Sequence, residues 1–192
     1  MASTQQLRQR ITSVKNTKQI TKAMEMVAAS KLRRAQEAAV ASREFAKIAN
    51  ELLTRIRQLT DVTKHPLFAR RAIKNRLLIV VASDRGLAGG YNASLLKKFT
   101  AELKKDSEAG INNKIITVGK KATTFTAKIH NLEVIGAYHD FVDNPTAEDL
   151  RPILISALDG FKKSEFDAVD IVYTDFISSV NQVPRTARLL PV

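Results

Sequence analysis

The residues that could carry chemistry are few and lie far apart along the chain. None of the 192 residues is a cysteine, which excludes disulfides, thiolate metal sites and cysteine nucleophiles. The three histidines, His65, His130 and His139, lack metal-ligand spacing. No nucleophile with a neighbouring base and orienting acid is identified from spacing. The sequence therefore predicts no catalytic, metal-binding or cofactor-binding residues.

A glycine-rich loop at residues 83–90 is the strongest candidate for ligand chemistry. Its glycines follow the pattern G-x-x-G-G, whereas a dinucleotide site needs G-x-G-x-x-G to bring the backbone close to a pyrophosphate. The lysine and hydroxyl of a phosphate-loop NTPase are missing too. An ion pair between Asp84 and Arg85 that shapes the loop explains these charges better than a binding site does. A nucleotide-dependent α/β enzyme is therefore a disfavoured alternative.

Strands and helices alternate around this loop. The apolar run at residues 77–82 predicts a strand buried on both faces. Helices are predicted from about residue 92 to 108, 121 to 128 and 146 to 163, with Thr146 as a cap. Further strands are predicted at residues 115–118, 132–135, 168–176 and 183–190. This order predicts a mainly parallel, Rossmann-like α/β sheet that ends in a hairpin.

The charge of the chain is strongly asymmetric. The net charge is +12, and residues 1–76 hold 17 of the 31 Lys and Arg but only 5 of the 19 Asp and Glu. The remaining residues are balanced in charge. Such asymmetry indicates a nucleic acid, a membrane surface or an acidic protein as partner. The chain has no run of about 18 apolar residues, so no membrane span is predicted.

The basic part of the chain is predicted to be one long helix. No proline or glycine lies between residues 4 and 59, and strong helix formers dominate. Such a helix is about 80 Å long, whereas a domain of this size is about 30 Å across, so most of the helix projects beyond the domain. The predicted organisation is a shaft helix at 1–60, a linker at 61–76 and an α/β domain at 77–192.

Apolar residues on this helix follow the spacing of a coiled coil. An unbroken three-four alternation, here called the seam, consists of Ala35, Ala38, Ser42, Phe45, Ala49, Leu52, Ile56 and Leu59. Two earlier blocks, Leu7–Ile11–Val14 and Ile20–Met24–Val27, follow the same spacing in other registers. The spacing predicts a partner helix, and packing of the seam on the chain's own domain is the alternative. The polar side carries Arg and Lys with Glu25 as the only acid before Glu37, which favours an acidic partner.

Three segments closely resemble the gamma subunit family of F-type ATP synthase. Residues 11–33 resemble the N-terminal helix of that family, residues 83–92 the loop after its first strand, and residues 182–191 the segment at the end of its sheet. The three matches occur in the family's order and spread over the whole chain.

The resemblance implies a rotor without bond chemistry of its own. In that family the gamma subunit is the central stalk inside a ring of alpha and beta subunits and contacts epsilon and the c-ring. Its rotation couples proton flow to the conformational cycle of the catalytic beta subunits in ATP synthesis. The resemblance further implies a peripheral position on the cytoplasmic face of the bacterial cell membrane rather than on the mitochondrial matrix side. It implies neither a cofactor nor nucleic acid as a partner.

The resemblance also suggests contact residues. Met24 matches a family position near an acidic beta-subunit segment, so contacts with the alpha/beta ring are expected for Ile20, Lys22, Met24 and Val27, and charged contacts for Arg8, Lys15 and Lys18. Ile20, Met24 and Val27 fit packing against a partner helix equally well. In the family the chain continues into a second long helix that pairs antiparallel with the first. We expect that helix to be absent here, so that the seam needs a replacement partner.

A basic nucleic-acid-binding protein with a helical arm is the alternative function. The charge favours it, but Phe45 is the only aromatic residue between Met1 and His65. Stacking platforms for bases are therefore lacking, and no nucleic-acid-binding module is recognised.

Overall fold

The computed structural model describes residues 3–59, 65–141 and 145–192. The chain divides into two compact units, Met1–Thr54 and Arg55–Val192. The shaft, linker and domain boundaries derived from the sequence remain a prediction.

Helix α1 spans Thr4–Leu59. The first unit contains most of this helix, and its last residues, from Arg55 on, belong to the second unit. The 56 residues of α1 form a single α-helix, as the sequence predicted. At its start the Gln6 backbone N–H donates to Ser3 Oγ over 3.3 Å, and the Ser3 N–H donates to Gln6 Oε1 over 3.1 Å. This reciprocal pair satisfies amides that a helix start leaves open, so Ser3 is the cap.

The second unit contains an α/β domain. Its elements are β1 Asn75–Val81, α2 Tyr91–Glu108, β2 Asn112–Val118, α3 Lys120–Thr126, β3 Glu133–Tyr138, α4 Ala147–Lys162, β4 Ala168–Phe176 and β5 Gln182–Leu190, preceded by a short 3-10 helix at Pro66–Phe68. The strand order is β3-β2-β1-β4-β5. All pairs are parallel except β4 with β5, which form the predicted hairpin. The fold class expected from the sequence is confirmed.

The core lies on both faces of this sheet. Successive β1 residues point to opposite faces, so Leu78 and Val80 pack with Leu95 and Phe99 of α2, on the face that α3 also covers. On the other face, Leu77 and Ile79 belong to a cluster with residues of α4 and β4, among others Phe161, Phe166 and Val169. The sequence of β1 is a continuous apolar run because both faces of this strand are buried. Among the described residues, no helix is long and apolar enough to cross a membrane.

Candidate interaction surface of the N-terminal helix

The contact residues expected from the sequence all lie on α1, and all are exposed. These are Arg8, Lys15, Lys18, Ile20, Lys22, Met24 and Val27. The apolar members are 52–62% exposed, far more than core residues. The described structure thus leaves this part of α1 as a free surface.

The helix separates these residues into two sets on opposite sides. With about 100° between successive residues, Arg8, Lys15, Lys18 and Lys22 fall within about 80° of one another. We call these four residues the basic face. Ile20, Met24 and Val27 form a second set, about 60° wide, on the other side of the helix. One flat partner therefore cannot contact both sets at once.

The apolar set continues into the seam. At the same spacing of about 100° per residue, Ile20, Met24 and Val27 project on the same side as Phe45 and Leu52. Val27 and Ala35 are separated by two consecutive four-residue steps, which interrupts the three-four alternation. This extra step locally unwinds a supercoil, but the apolar residues before and after it stay on the same side of the helix. The Leu7–Ile11–Val14 block lies on the other side, beside Lys18. Ile20, Met24 and Val27 thus extend the seam, which favours packing against a partner helix.

Internal ion pairs neutralise little of the positive charge. Lys22 Nζ lies 3.2 Å from Glu25 Oε2, and both side chains are 67% exposed. Such a solvated pair contributes only about 0–1 kcal/mol. Arg33 pairs with Glu37 in the same way over 3.1 Å. The basic face therefore keeps its positive potential toward solvent.

The start of the glycine-rich loop, by contrast, is hydrogen-bonded to other parts of the domain, while residues 85–90 are exposed. Asp84 Oδ1 accepts a hydrogen bond of 2.8 Å from the Lys120 backbone N–H. The Lys121 N–H donates to the Ser83 carbonyl over 3.0 Å, and Asn92 Oδ1 accepts from Ser83 N and Oγ. The expected Asp84–Arg85 ion pair does not form among the described residues, because Asp84 binds Lys120 instead. The first amides of α3 are used within the protein, so they do not form a phosphate cradle.

Gly119 permits the close approach of the backbone after β2 to the backbone after β1. It has a φ of 94°, and a Cβ at this position would lie 2.2 Å from the Ala82 carbonyl oxygen. Only glycine allows β2 to approach the end of β1 so closely. The glycine therefore serves backbone packing at the sheet edge.

A network of buried ion pairs lies near the first residues of β1, and it was not predicted from the sequence. Arg76 is 7% exposed, Asp106 3% and Asp170 2%. Arg76 Nη1 donates to Asp106 Oδ2 over 2.8 Å and to Glu102 Oε2 over 3.2 Å, while Nε binds Asp170. Arg188 donates to the second oxygen of Asp170. The signal in the sequence was an aspartate between Val169 and Ile171 inside an apolar strand, which requires a buried cation as partner.

The network shifts the pKa values of two of its members, Glu102 and Arg76. Burial raises the pKa of Glu102, but hydrogen bonds from Lys98, Thr186 and Arg76 outweigh it and hold the pKa below its ordinary value. Burial lowers the pKa of Arg76, and the Asp106 and Asp170 carboxylates outweigh this and raise it. The Arg76 charge thus helps to stabilise the ionised form of Glu102, and the buried carboxylates stabilise the charged form of Arg76. The network joins β1, α2, β4 and β5 as a structural element of the domain.

The structure thus consists of an α/β domain and a long helix whose basic face and apolar residues are exposed. Among the described residues, no group of three or more His, Cys, Asp or Glu is arranged to hold a metal ion.

Comparisons with known proteins identify the family. The family model described as ATP synthase matches residues 3–192. The chain is 37% identical over 192 residues to the ATP synthase gamma chain of Glaesserella parasuis and 38% identical to that of Ralstonia nicotianae. All of this chain is covered, together with 66% of each relative, so the chain spans about two thirds of their length. The chain belongs to the ATP synthase gamma chain family.

Solved structures show the same fold. The central stalk and c-ring structure of the Tetrahymena thermophila mitochondrial ATP synthase contains a chain that matches with a TM-score of 0.67 and 24% identity, covering 90% of this chain and 72% of that one. A chain in the rotor of the Euglena gracilis mitochondrial ATP synthase matches with a TM-score of 0.57 and 16% identity, over 95% of this chain and 61% of that one.

Proposed function

We propose that this chain is a central-stalk, rotor subunit of an F-type ATP synthase, without catalytic residues of its own. Its rotation couples proton flow through the membrane sector to conformational change in the catalytic beta subunits. Membership of the gamma chain family supports this function, because its relatives bear that name.

The structural observation that carries the proposal is α1. A helix of 56 residues with an exposed apolar stripe and an exposed basic face has the form of a shaft that needs neighbours. A single long helix bends easily, and a partner along the seam stiffens it. A stiff shaft is what transmission of torque requires.

The basic face is proposed to contact the alpha/beta ring. Arg8, Lys15, Lys18 and Lys22 point together to one side of α1, as an acidic facing surface requires. Ile20, Met24 and Val27 continue the seam, so we propose that their main contact is a partner helix. Where Met24 also reaches the ring, it does so from the flank of that helix pair.

Rotation acts on the beta subunits through unequal contacts. A beta subunit changes state only if the shaft binds its conformations with different free energies. Because basic and apolar residues are distributed unevenly around α1, each orientation offers neighbouring subunits a different surface. The chemistry of ATP takes place in the beta subunits, and the shaft shifts their populations.

The remaining partners are the epsilon subunit and the c-ring. The chain is then a peripheral component of the membrane, held through the membrane sector. We infer the cytoplasmic face of a bacterial membrane, since the two relatives described above are bacterial.

Assembly tests this function directly. The chain is co-expressed with the alpha and beta subunits of one of the bacterial relatives described above, in cells that lack their own gamma chain, and purified by a tag on beta. We expect the chain in stoichiometric complex with both subunits. ATP hydrolysis and ATP-driven proton pumping are then measured after addition of epsilon and the membrane sector.

The control is a chain in which the four residues of the basic face are replaced by Gln, and it should assemble less completely. Absence of the wild-type chain from the complex would contradict the rotor assignment. Tight binding of the wild-type chain to duplex DNA, lost between low and moderate salt, would support the nucleic-acid alternative instead.

A further inference from the structure

The chain leaves α1 through a segment that is clamped onto the α/β domain. We call residues 65–75 the strap. Its 3-10 helix has Leu67 packed against the core cluster that contains Phe161 and Leu190. The Val192 N–H donates to the Leu67 carbonyl over 2.9 Å. The strap is therefore held by side-chain packing and by a backbone hydrogen bond at its first half.

Arg71 clamps the middle of the strap to the turn between α4 and β4. Its Nη2 donates to the Phe161 carbonyl over 2.9 Å and to the Phe166 carbonyl over 3.2 Å. Its Nη1 donates to Ser164 Oγ. The guanidinium carbon lies 4.6 Å from the centre of the Phe161 ring, within the range of a cation–π contact. One side chain thus binds Phe161 at the end of α4 and two residues of the turn, Ser164 and Phe166.

Asp167, which lies just before β4, binds the last part of the strap. Its Oδ2 accepts hydrogen bonds of 2.9 Å from the backbone N–H groups of Lys74 and Asn75. The Asp167 N–H in turn donates to the Asn75 carbonyl over 2.8 Å. Arg71 Nε lies 4.0 Å from Asp167 Oδ1, so the two clamps adjoin. The hydrogen bonds from Asn75 and Lys74 and the Arg71 charge hold the pKa of Asp167 below its ordinary value, so its carboxylate stays ionised near neutral pH.

We propose that the strap is the torque-bearing joint of the rotor and that Arg71 is its principal positioning residue. The inference rests on the proposed rotor function. The covalent path from α1 to the α/β domain runs through the strap, so a force on the helix is transmitted along that path to the clamps before it reaches β1. A joint of this kind needs contacts that resist opening in several directions. The forked, planar guanidinium of arginine provides them, whereas the single ammonium of lysine does not.

Hydrogen exchange on the isolated 192-residue chain tests the clamp. In Arg71→Ala, we expect the amides of Lys74, Asn75 and Val192 to exchange at least tenfold faster than in the wild type. The amides of Ala82 and Gly119, which are bonded to carbonyls at the far edge of the sheet, should keep their rates. Arg70→Ala is the matched control, because Arg70 is the exposed neighbour of the same charge. Equal acceleration at all of these amides would show a merely structural role and overturn the proposal.

Coupling in the assembled enzyme tests the joint. With Arg71→Ala we expect ATP hydrolysis near the wild-type rate and a several-fold lower ratio of proton pumping to hydrolysis. Arg71→Lys should fall between Arg71→Ala and the wild type, and Arg70→Ala should match the wild type.

The two assays separate failure of the inference from failure of the proposed function. An unchanged ratio in assembled Arg71→Ala would overturn the inference alone. A wild-type chain that fails to assemble would overturn the rotor function, and with it the role of the strap as a joint. Faster exchange confined to the strap amides would in that case establish the clamp itself.

Discussion

At the scale of single residues, the polar groups buried in the α/β domain maintain its structure. Arg76 illustrates this, since its guanidinium binds carboxylates from α2 and β4 that are themselves almost fully buried. Asp84 has a similar function at the sheet edge, where its carboxylate holds the Lys120 amide. Both residues are of types that often do chemistry. Their partners here are internal.

Replacement of Arg76 by Ala should strongly destabilise the domain. It would leave Asp106 and Asp170 buried with one cation fewer, and loss of one partner from a buried ion pair costs about 3–5 kcal/mol. The free energy of unfolding in urea measures the effect, with Arg85→Ala as the control. Arg85 is exposed, so its replacement should change stability by about 0.5 kcal/mol or less. Equal losses in the two variants would contradict the importance of the network.

At the scale of elements, α1 differs from the α-helices of the sheet domain. Helices α2 and α4 bury residues such as Phe99 and Phe161, whereas the large apolar residues of α1 remain exposed. An exposed apolar stripe of this length drives association in water. We therefore expect copies of the isolated chain to self-associate along the seam.

A charge placed in the seam should abolish this association. Leu52 is 57% exposed in the seam, and Leu52→Glu would introduce a charge into the apolar contact. Sedimentation velocity should show oligomers for the wild type and monomers for Leu52→Glu. Thr54→Glu, which adds the same charge on the far side of the helix, should leave the oligomers intact. A wild-type chain that sediments as a monomer while its N-terminal segment is fully helical would refute the prediction.

At the scale of the whole molecule, charge is divided between the two parts of the chain. The excess of +12 lies in the first two fifths, where α1 collects part of it on one side, and the rest of the sequence is neutral overall. A division of this kind orients the molecule toward an acidic partner and makes association depend on salt.

Neutralising the basic face should weaken assembly in a salt-dependent manner. Exchange of Arg8, Lys15, Lys18 and Lys22 for Gln should reduce affinity for the alpha/beta ring about fourfold or more at low ionic strength, at about 0.2–1 kcal/mol for each exposed pair. The difference should shrink as salt rises. Affinity is measured by titration of the ring with labelled chain.

The matched control has the same change in net charge on the sheet domain. It replaces the exposed residues Lys97, Lys105, Lys128 and Lys162 by Gln. Equal weakening by both sets would show a non-specific effect of net charge and would contradict a role for the basic face.

Much of the architecture was predictable because it depends on local pattern. The absence of proline and glycine and the composition of residues 4–59 determine a helix whatever else folds. Short apolar runs and the turn and cap residues that bound them likewise place the strands and helices of the sheet domain within a few residues of their observed bounds. The family was also recognisable from short ordered segments. These properties involve neighbours along the chain.

The tertiary structure alone decided which polar residues meet. Arg76 reaches Asp106 and Asp170, which lie 30 and 94 residues away, because β1, α2 and β4 converge. Arg71 reaches Phe161, 90 residues away, because the strap lies against the end of α4. Asp84 accepts a hydrogen bond from the Lys120 backbone N–H rather than pairing with its sequence neighbour Arg85, because the start of α3 lies beside the loop that follows β1. Periodicity assigns a residue to a face of its own element, but a long-range hydrogen bond depends on how separate elements pack, and that is fixed only when the whole domain folds.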